Sequence, residues 1–171
     1  EYLSCLEEDK RIIEIDLIVV KAHCLMLAKQ KYLSKNELKK ILWALKKFKK
    51  EWYTGELKKL ISSLKIQFTD IHPFVEKYVI DSCGLKVGGK INLGRSRNDQ
   101  IATDLRIYLR EELILVAGLL SDFVYSLLKN AAKNRETVFP GYTHRQPAQV
   151  TTYAHYLLSY GDIFLRDLDR L

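Results

Sequence analysis

From Asn98 to Ala132 the chain carries a helical pattern far longer than an ordinary helix of a small domain. Ile101, Leu105, Tyr108, Leu109, Leu113, Val116, Leu119, Leu120, Phe123, Leu127 and Leu128 mark the stripe expected to be buried. A connector over 134–140 follows, and a last helix is expected from Ala148 to Leu171. Two such helices cannot cover both faces of each other, so the bundle they begin needs further partners. The chain is therefore expected to stop in the middle of a domain. It is also expected to associate through Leu105, Leu109, Val116 and Phe123.

Upstream the pattern is also helical. Glu7 to Gln30 reads as one helix, with Ile12, Ile15, Val19, Ala22 and Met26 on the expected buried face. Ser34 and Glu37 have the spacing of a capping box. They open a helix through Lys50 that carries Leu38, Ile41, Leu42, Leu45 and Phe48 on one face. The pattern breaks at Trp52 to Gly55, and a short helical turn is expected from Glu56 to Leu64. Thr69 or Asp70 can cap a further helix to about Ser82, with Pro73 in its first turn and Gly84 as its stop. Leu85 to Leu93, which contains Gly88-Gly89, reads as a loop. Three prolines and eight glycines in 171 residues favour long helices over many short strands. The expected fold is all-α, a small N-terminal helical domain over 1–94 followed by the first long helices of a central helical bundle over 95–171.

Composition excludes little but orders the alternatives. Cys5, Cys24 and Cys83 are odd in number and show no zinc spacing, which points to a reducing compartment, the cytoplasm. No apolar run reaches the length of a membrane span, since Ile12 to Leu27 is interrupted by Glu14, Asp16, Lys21 and His23. No signal peptide is visible, and a start at Glu1 suggests that an N-terminal piece is missing. The net charge of +7 is concentrated in lysines such as Lys39, Lys40, Lys46, Lys47, Lys49, Lys50, Lys58 and Lys59. A solvated helix face explains them. A nucleic-acid surface is the alternative, and no phosphate loop or recognised nucleic-acid motif supports it.

Two segments hold the chemistry. In Gly94-Arg95-Ser96-Arg97-Asn98-Asp99-Gln100, arginine forks suit carboxylates or phosphates, and a helix N-terminus adds free N–H groups for an anion. The plainer reading makes Asn98 or Asp99 a helix cap and the arginines surface residues. In Gly141-Tyr142-Thr143-His144-Arg145-Gln146, Pro140-Gly141 makes a turn from which Thr143 and His144 project. Histidine titrates near neutrality and can relay a proton, although a turn histidine is often only structural. Gln146 and Gln149 can fix a substrate group or solvate a helix start. His72 is a weaker candidate, while His23 and His155 lie within helices as packing or surface residues. Cys24 and Cys83 read as buried small hydrophobes.

Together, and in this order across one long helix, the two segments resemble the paired signatures of argininosuccinate lyase, within the fumarase/aspartase superfamily. Glu8-Asp9-Lys10-Arg11, Asp70-Ile71-His72 and Arg166-Asp167 to Leu171 also resemble family segments in the expected order. The resemblance implies an elimination of argininosuccinate to arginine and fumarate, in arginine biosynthesis, without metal or organic cofactor. It implies that Arg97 and Asn98 bind substrate carboxylates and that Thr143 bonds the succinate end. His144 would serve in the acid–base pair, and Asp70 would face the cationic end of the arginine portion. It further implies a homotetramer with each active site shared between three subunits, so that Arg97-Asn98 and His144 of one chain serve different sites. Nucleic acid and membranes are not among the partners it implies.

The chain also departs from that pattern. The family's serine loop, of Gly-Ser-Ser-x-Met-Pro-x-Lys-x-Asn type, occurs nowhere in it, so these residues alone are expected to be inactive. Arg145 stands for a usual leucine, Val150 for a common proline, and Asn92-Leu93 for a frequent His-Thr. Cys5 stands where the family has a substrate-contacting serine, with Ser4 beside it. A thiol is the weaker donor, which bears on affinity more than on reaction type. Three alternatives remain at this point: another superfamily lyase such as adenylosuccinate lyase, a non-catalytic chain that is either a truncated gene product or a relative like the lens crystallins, and a basic helical binding module.

Overall fold

A computed structural model describes residues 6–57, 59, 68 and 70–171. Its elements are α1 (Leu6–Asp9), α2 (Ile13–Lys29), α3 (Lys35–Thr54), α4 (Ile71–Cys83), α5 (Leu85–Gly88), a 3-10 turn (Gly89–Asn92), α6 (Arg97–Lys133), β1 (Val138–Thr143), β2 (Gln146–Thr152) and α7 (Tyr153–Arg170). Among the described residues the protein is helical, as expected, with one small antiparallel hairpin. Internal contacts divide it into two compact units, Glu1–Tyr108 and Leu109–Leu171. Most of the turn expected over 56–64, the alternative cap Thr69, and both Ser4 and Cys5 lie outside the described residues.

In the first unit α2, α3 and α4 enclose one apolar core. Phe48 stands at its middle, fully buried, with Phe74 and Tyr78 edge-on at 5.6 and 5.0 Å. The capping box forms as expected: Ser34 Oγ accepts from Glu37 N at 3.2 Å, and Glu37 accepts from Ser34 N at 2.8 Å. Lys90 also donates to Glu37 at 2.6 Å, and together these bonds hold the Glu37 carboxyl down at about 2. The helix runs to Thr54, past the break expected at Trp52, because Gly55 takes the left-handed conformation (φ 83°) that ends it. Ile41, Leu45 and Phe48 are buried as expected, Leu38 and Leu42 half-buried, and the lysines of α3 are exposed.

Three local expectations change. The helix expected over 7–30 is broken at residues 10–12, where Arg11 and Ile12 bond back three residues instead of four. Ile12 and Ile15 are buried as expected, but from there the buried face of α2 runs through Ile13, Leu17, Val20, Cys24 and Leu27, whereas Val19 is half-buried and Ala22 and Met26 are exposed. Apolar residues surround most of this helix, so periodicity did not select the face. Leu85 to Leu93 is not a loop but α5 followed by a 3-10 turn. Gly88 serves close packing there: a Cβ on it would lie 2.6 Å from Ile80 Cα.

The second unit holds the rest of α6, the hairpin and α7. The last helix begins at Tyr153, not Ala148, because Gln146–Thr152 pairs with β1. Thr152 Oγ1 caps it, accepting from His155 N at 3.2 Å. Pro140-Gly141 does not make the turn; it sits at a register irregularity inside β1. The turn is His144-Arg145, both with positive φ (50° and 64°). The stripe expected to be buried on α6 is largely exposed in this single chain: Leu105, Leu109, Val116 and Phe123 are each exposed, and Leu119 is 71% exposed. Phe123 does meet Phe164 of α7 edge-on at 5.1 Å. No described helix is long and apolar enough to cross a membrane.

Candidate active site

Two helix N-termini in the first unit carry the strongest candidates. Asp70, in extended conformation, caps α4 by accepting from His72 N at 3.0 Å. Asp9 supports the same turn, accepting from Ile71 N at 3.3 Å. At α6 the cap is Ser96, not Asn98 or Asp99. Its Oγ accepts from Asn98 N at 3.2 Å, while Asp99 reaches back to Ser96 N at 3.2 Å. Gly94 enters this turn at φ 69°, a conformation that favours glycine. Arg97, the first residue of α6, donates from Nη1 to Asp70 Oδ1 at 2.9 Å, and both side chains are half-buried. Two predicted site residues are therefore in direct contact, and Asn98 follows on the same turn, exposed. A guanidinium beside free helix N–H groups is a strong place for a carboxylate.

The signature's two arginines have different surroundings. Arg95 donates from Nη2 to Asn92 at 2.7 Å, while its Nε and Nη1 are buried. Burial lowers its pKa from the ordinary arginine value, opposed by the charges of Asp16 and Asp104. Asp16 and Asp104 are wholly buried, with His72 and Gln100 almost so. His72 Nδ1 lies 3.1 Å from Asp16 and 3.8 Å from Asp104, and the Gln100 amide donates to the same Asp16 oxygen. Burial first, and the Asp16 charge second, push the Asp104 carboxyl well above the usual carboxylate range.

Sequence reasoning missed most of this cluster. Asp16 stood out only as an interruption of an apolar run, and His72 as a weak candidate. The available signal was a charged residue on the buried face of an apolar helix, because such residues are almost never buried without partners. Gln100 and Asp104, four apart on α6, share such a face. Asp16, His72 and Asp104 offer ligand atoms within 4.8 Å of one another, enough for a metal ion. Arg95 makes no hydrogen bond to either carboxyl, but its nearby positive charge acts on both and opposes a divalent ion there.

Elsewhere in the first unit Cys24 is buried, which pushes its thiol up to about 11 and leaves it inert. Cys83 is only half-buried. His23 Nε2 lies 3.0 Å from the carbonyl oxygen of Leu93, the residue before the signature segment, and burial lowers its pKa.

In the second unit Thr143 and His144 stand at the hairpin tip, both exposed, with Thr143 paired to Gln146 in register. A two-residue hairpin with both φ positive usually takes Asn-Gly. Here it holds His144 and Arg145, a costly choice for the backbone of the kind found at functional sites.

Residues 4–171 match the lyase family. The chain belongs to that family. Lyase-family relatives cover its whole length. The argininosuccinate lyase of Methanocaldococcus jannaschii is 41% identical over 171 residues, all of this chain and 34% of that protein. That of Methanocorpusculum labreanum is 42% identical over 173 residues, again all of this chain and 34% of the relative. Among solved structures, EDDS lyase in complex with formate superposes with a TM-score of 0.77 at 29% identity, covering 95% of this chain and 30% of that one. The chain thus spans about a third of the length of the curated relatives it matches.

Proposed function

We propose that the full-length protein containing this lyase-family chain is an argininosuccinate lyase, which splits argininosuccinate reversibly into arginine and fumarate. The observation that carries this is 41% identity to such an enzyme over all 171 residues of the chain. The chemistry of the site agrees. Removing a proton from the carbon beside a carboxylate builds up negative charge, which positive groups and N–H donors must meet. Arg97 and Asn98, at the N-terminus of α6, are of that kind and would hold the substrate carboxylates. Thr143 would bond the succinate end. His144 would hold or relay the proton in the acid–base pair, and Asp70 would face the cationic portion of the substrate while orienting Arg97.

The same reading includes a domain boundary near residue 94, with a central helical bundle from 95 onward. It includes a cytoplasmic homotetramer whose sites draw on different subunits. The exposed apolar side of α6 supports association of this kind.

The test is fumarate release from argininosuccinate by the full-length protein, followed by ultraviolet absorbance. Arg97→Ala and His144→Ala are each expected to lower kcat/KM by about 100-fold to 10,000-fold with helicity unchanged. Lys49→Ala, an exposed residue bridged to Glu14 at 3.3 Å, is expected to change little. No fumarate from the unaltered protein, or equal losses for Lys49→Ala and His144→Ala, would refute the assignment.

A further inference from the structure

Asp16 belongs to neither signature segment, yet one of its oxygens joins the two helices that carry Asp70 and Arg97. Its Oδ1 accepts from the Gln100 side chain and faces His72 Nδ1 at 3.1 Å. Gln100 lies in the first turn of α6, three residues after Arg97, and His72 lies in the first turn of α4, two after Asp70. Asp104, one turn further along α6, stands 3.8 Å from the same imidazole nitrogen. Asp16 Oδ1 is the partner within hydrogen-bond distance of Nδ1, and the pair forms with the imidazole N–H as donor. The two helix starts are therefore tied twice, inside by Asp16 and outside by Arg97 and Asp70.

The two ties differ in strength. The outer pair is partly solvated, with side-chain exposures of 34% and 23%, and such pairs hold geometry weakly. The inner bonds are wholly buried, where hydrogen bonds are strong and a lost partner is costly. The inner cluster is therefore what sets the spacing of the two first turns.

We propose that Asp16 and His72 are positioning residues for the carboxylate-binding end of the site. They hold Arg97 and Asp70 at the separation seen here and touch no substrate. This rests on Arg97 being a carboxylate-binding residue, as proposed above. A guanidinium fork grips a carboxylate well only when its placement is held to within about half an ångström.

The experiment is a double-mutant cycle in the full-length protein. Asp16→Ala removes the acceptor from both donors and is expected to raise KM for argininosuccinate by about 10-fold or more, with a smaller change in kcat. In an Arg97→Ala background the same substitution is expected to add almost nothing, because the residue it positions is gone. Equal losses in both backgrounds, or an unchanged KM, overturn the proposal. Amide hydrogen exchange reads the same tether without substrate. Asp16→Ala is expected to speed exchange at Asn98, Gln100 and His72 by about 10-fold or more, with residues 41–48 of α3 unchanged. No acceleration there, or uniform acceleration throughout the unit, also overturns it. Should the unaltered protein fail to split argininosuccinate, the functional assignment falls, and exchange alone still decides whether Asp16 ties the helices. Should Asp16→Ala not fold, Asp16→Asn, which keeps the shape and weakens both bonds, carries the same readouts.

Discussion

Gly88 and Gly89 stand side by side, yet the same substitution is expected to have opposite signs at the two positions. A Cβ on Gly88 would lie 2.6 Å from Ile80 Cα, 2.8 Å from Ile80 N and 3.0 Å from Val79 C, all of them backbone of α4. Favourable carbon contacts begin near 3.5 Å, so relief requires a shift of roughly half to one ångström. Backbone cannot swing aside as a side chain does, and overpacking of this kind costs about 1–3 kcal/mol. Alanine also restricts the unfolded chain, which returns about 0.4–1 kcal/mol. Gly88→Ala is thus expected to destabilise by about 1.3 kcal/mol, the difference between the central values of those two effects, about 2 and about 0.7. At Gly89 the nearest atom is a Leu85 methyl at 3.6 Å, an ordinary contact, and φ is −64°. Only the unfolded-state effect remains, so Gly89→Ala is expected to stabilise by about 0.4–1 kcal/mol. Urea unfolding followed by fluorescence of the buried Trp52 measures both. Equal midpoints for Gly88→Ala and the unaltered protein, or the same sign at both positions, would refute the reasoning.

The buried carboxylates predict a pH dependence. Burial raises the Asp104 carboxyl above its ordinary 3.8, so the folded state binds its proton more tightly than the unfolded state. Its contribution to stability is therefore full below that ordinary value and is lost as pH rises through the raised one. Urea midpoints should fall between about pH 4 and about pH 7, and Asp104→Asn should flatten the fall; an unchanged slope counts against the assignment. The exposed side of α6 predicts association: sedimentation of this chain at micromolar concentration should show species heavier than 19.9 kDa, and a compact monomer would contradict it.

Local chemistry was enough to establish much of this protein. The Ser34–Glu37 box, the Asp70 cap, the stop at Gly84 and the run of α6 are short-range events, decided by residues within one turn of each other. Long helical periodicity made the chain all-α, and two dense polar segments pointed to the family. Tertiary structure decided what depends on distant residues. The buried side of α2 could not be read because the helix is apolar nearly all round, and only packing against α3 and α4 selects Leu17 and Val20 over Met26. The hairpin escaped notice because its turn is His144-Arg145 rather than a glycine pair, a conformation imposed by strand pairing on either side. Gly88-Gly89 read as a loop because a glycine needed for close approach to Ile80 looks the same in sequence as one needed for flexibility. The roles of the two signature arginines were likewise hidden. Arg95 and Arg97 are chemically equal in the sequence, and they differ only because Asp16 and Asp104 bury a charge beside one while Asp70 meets the other at a half-exposed helix end.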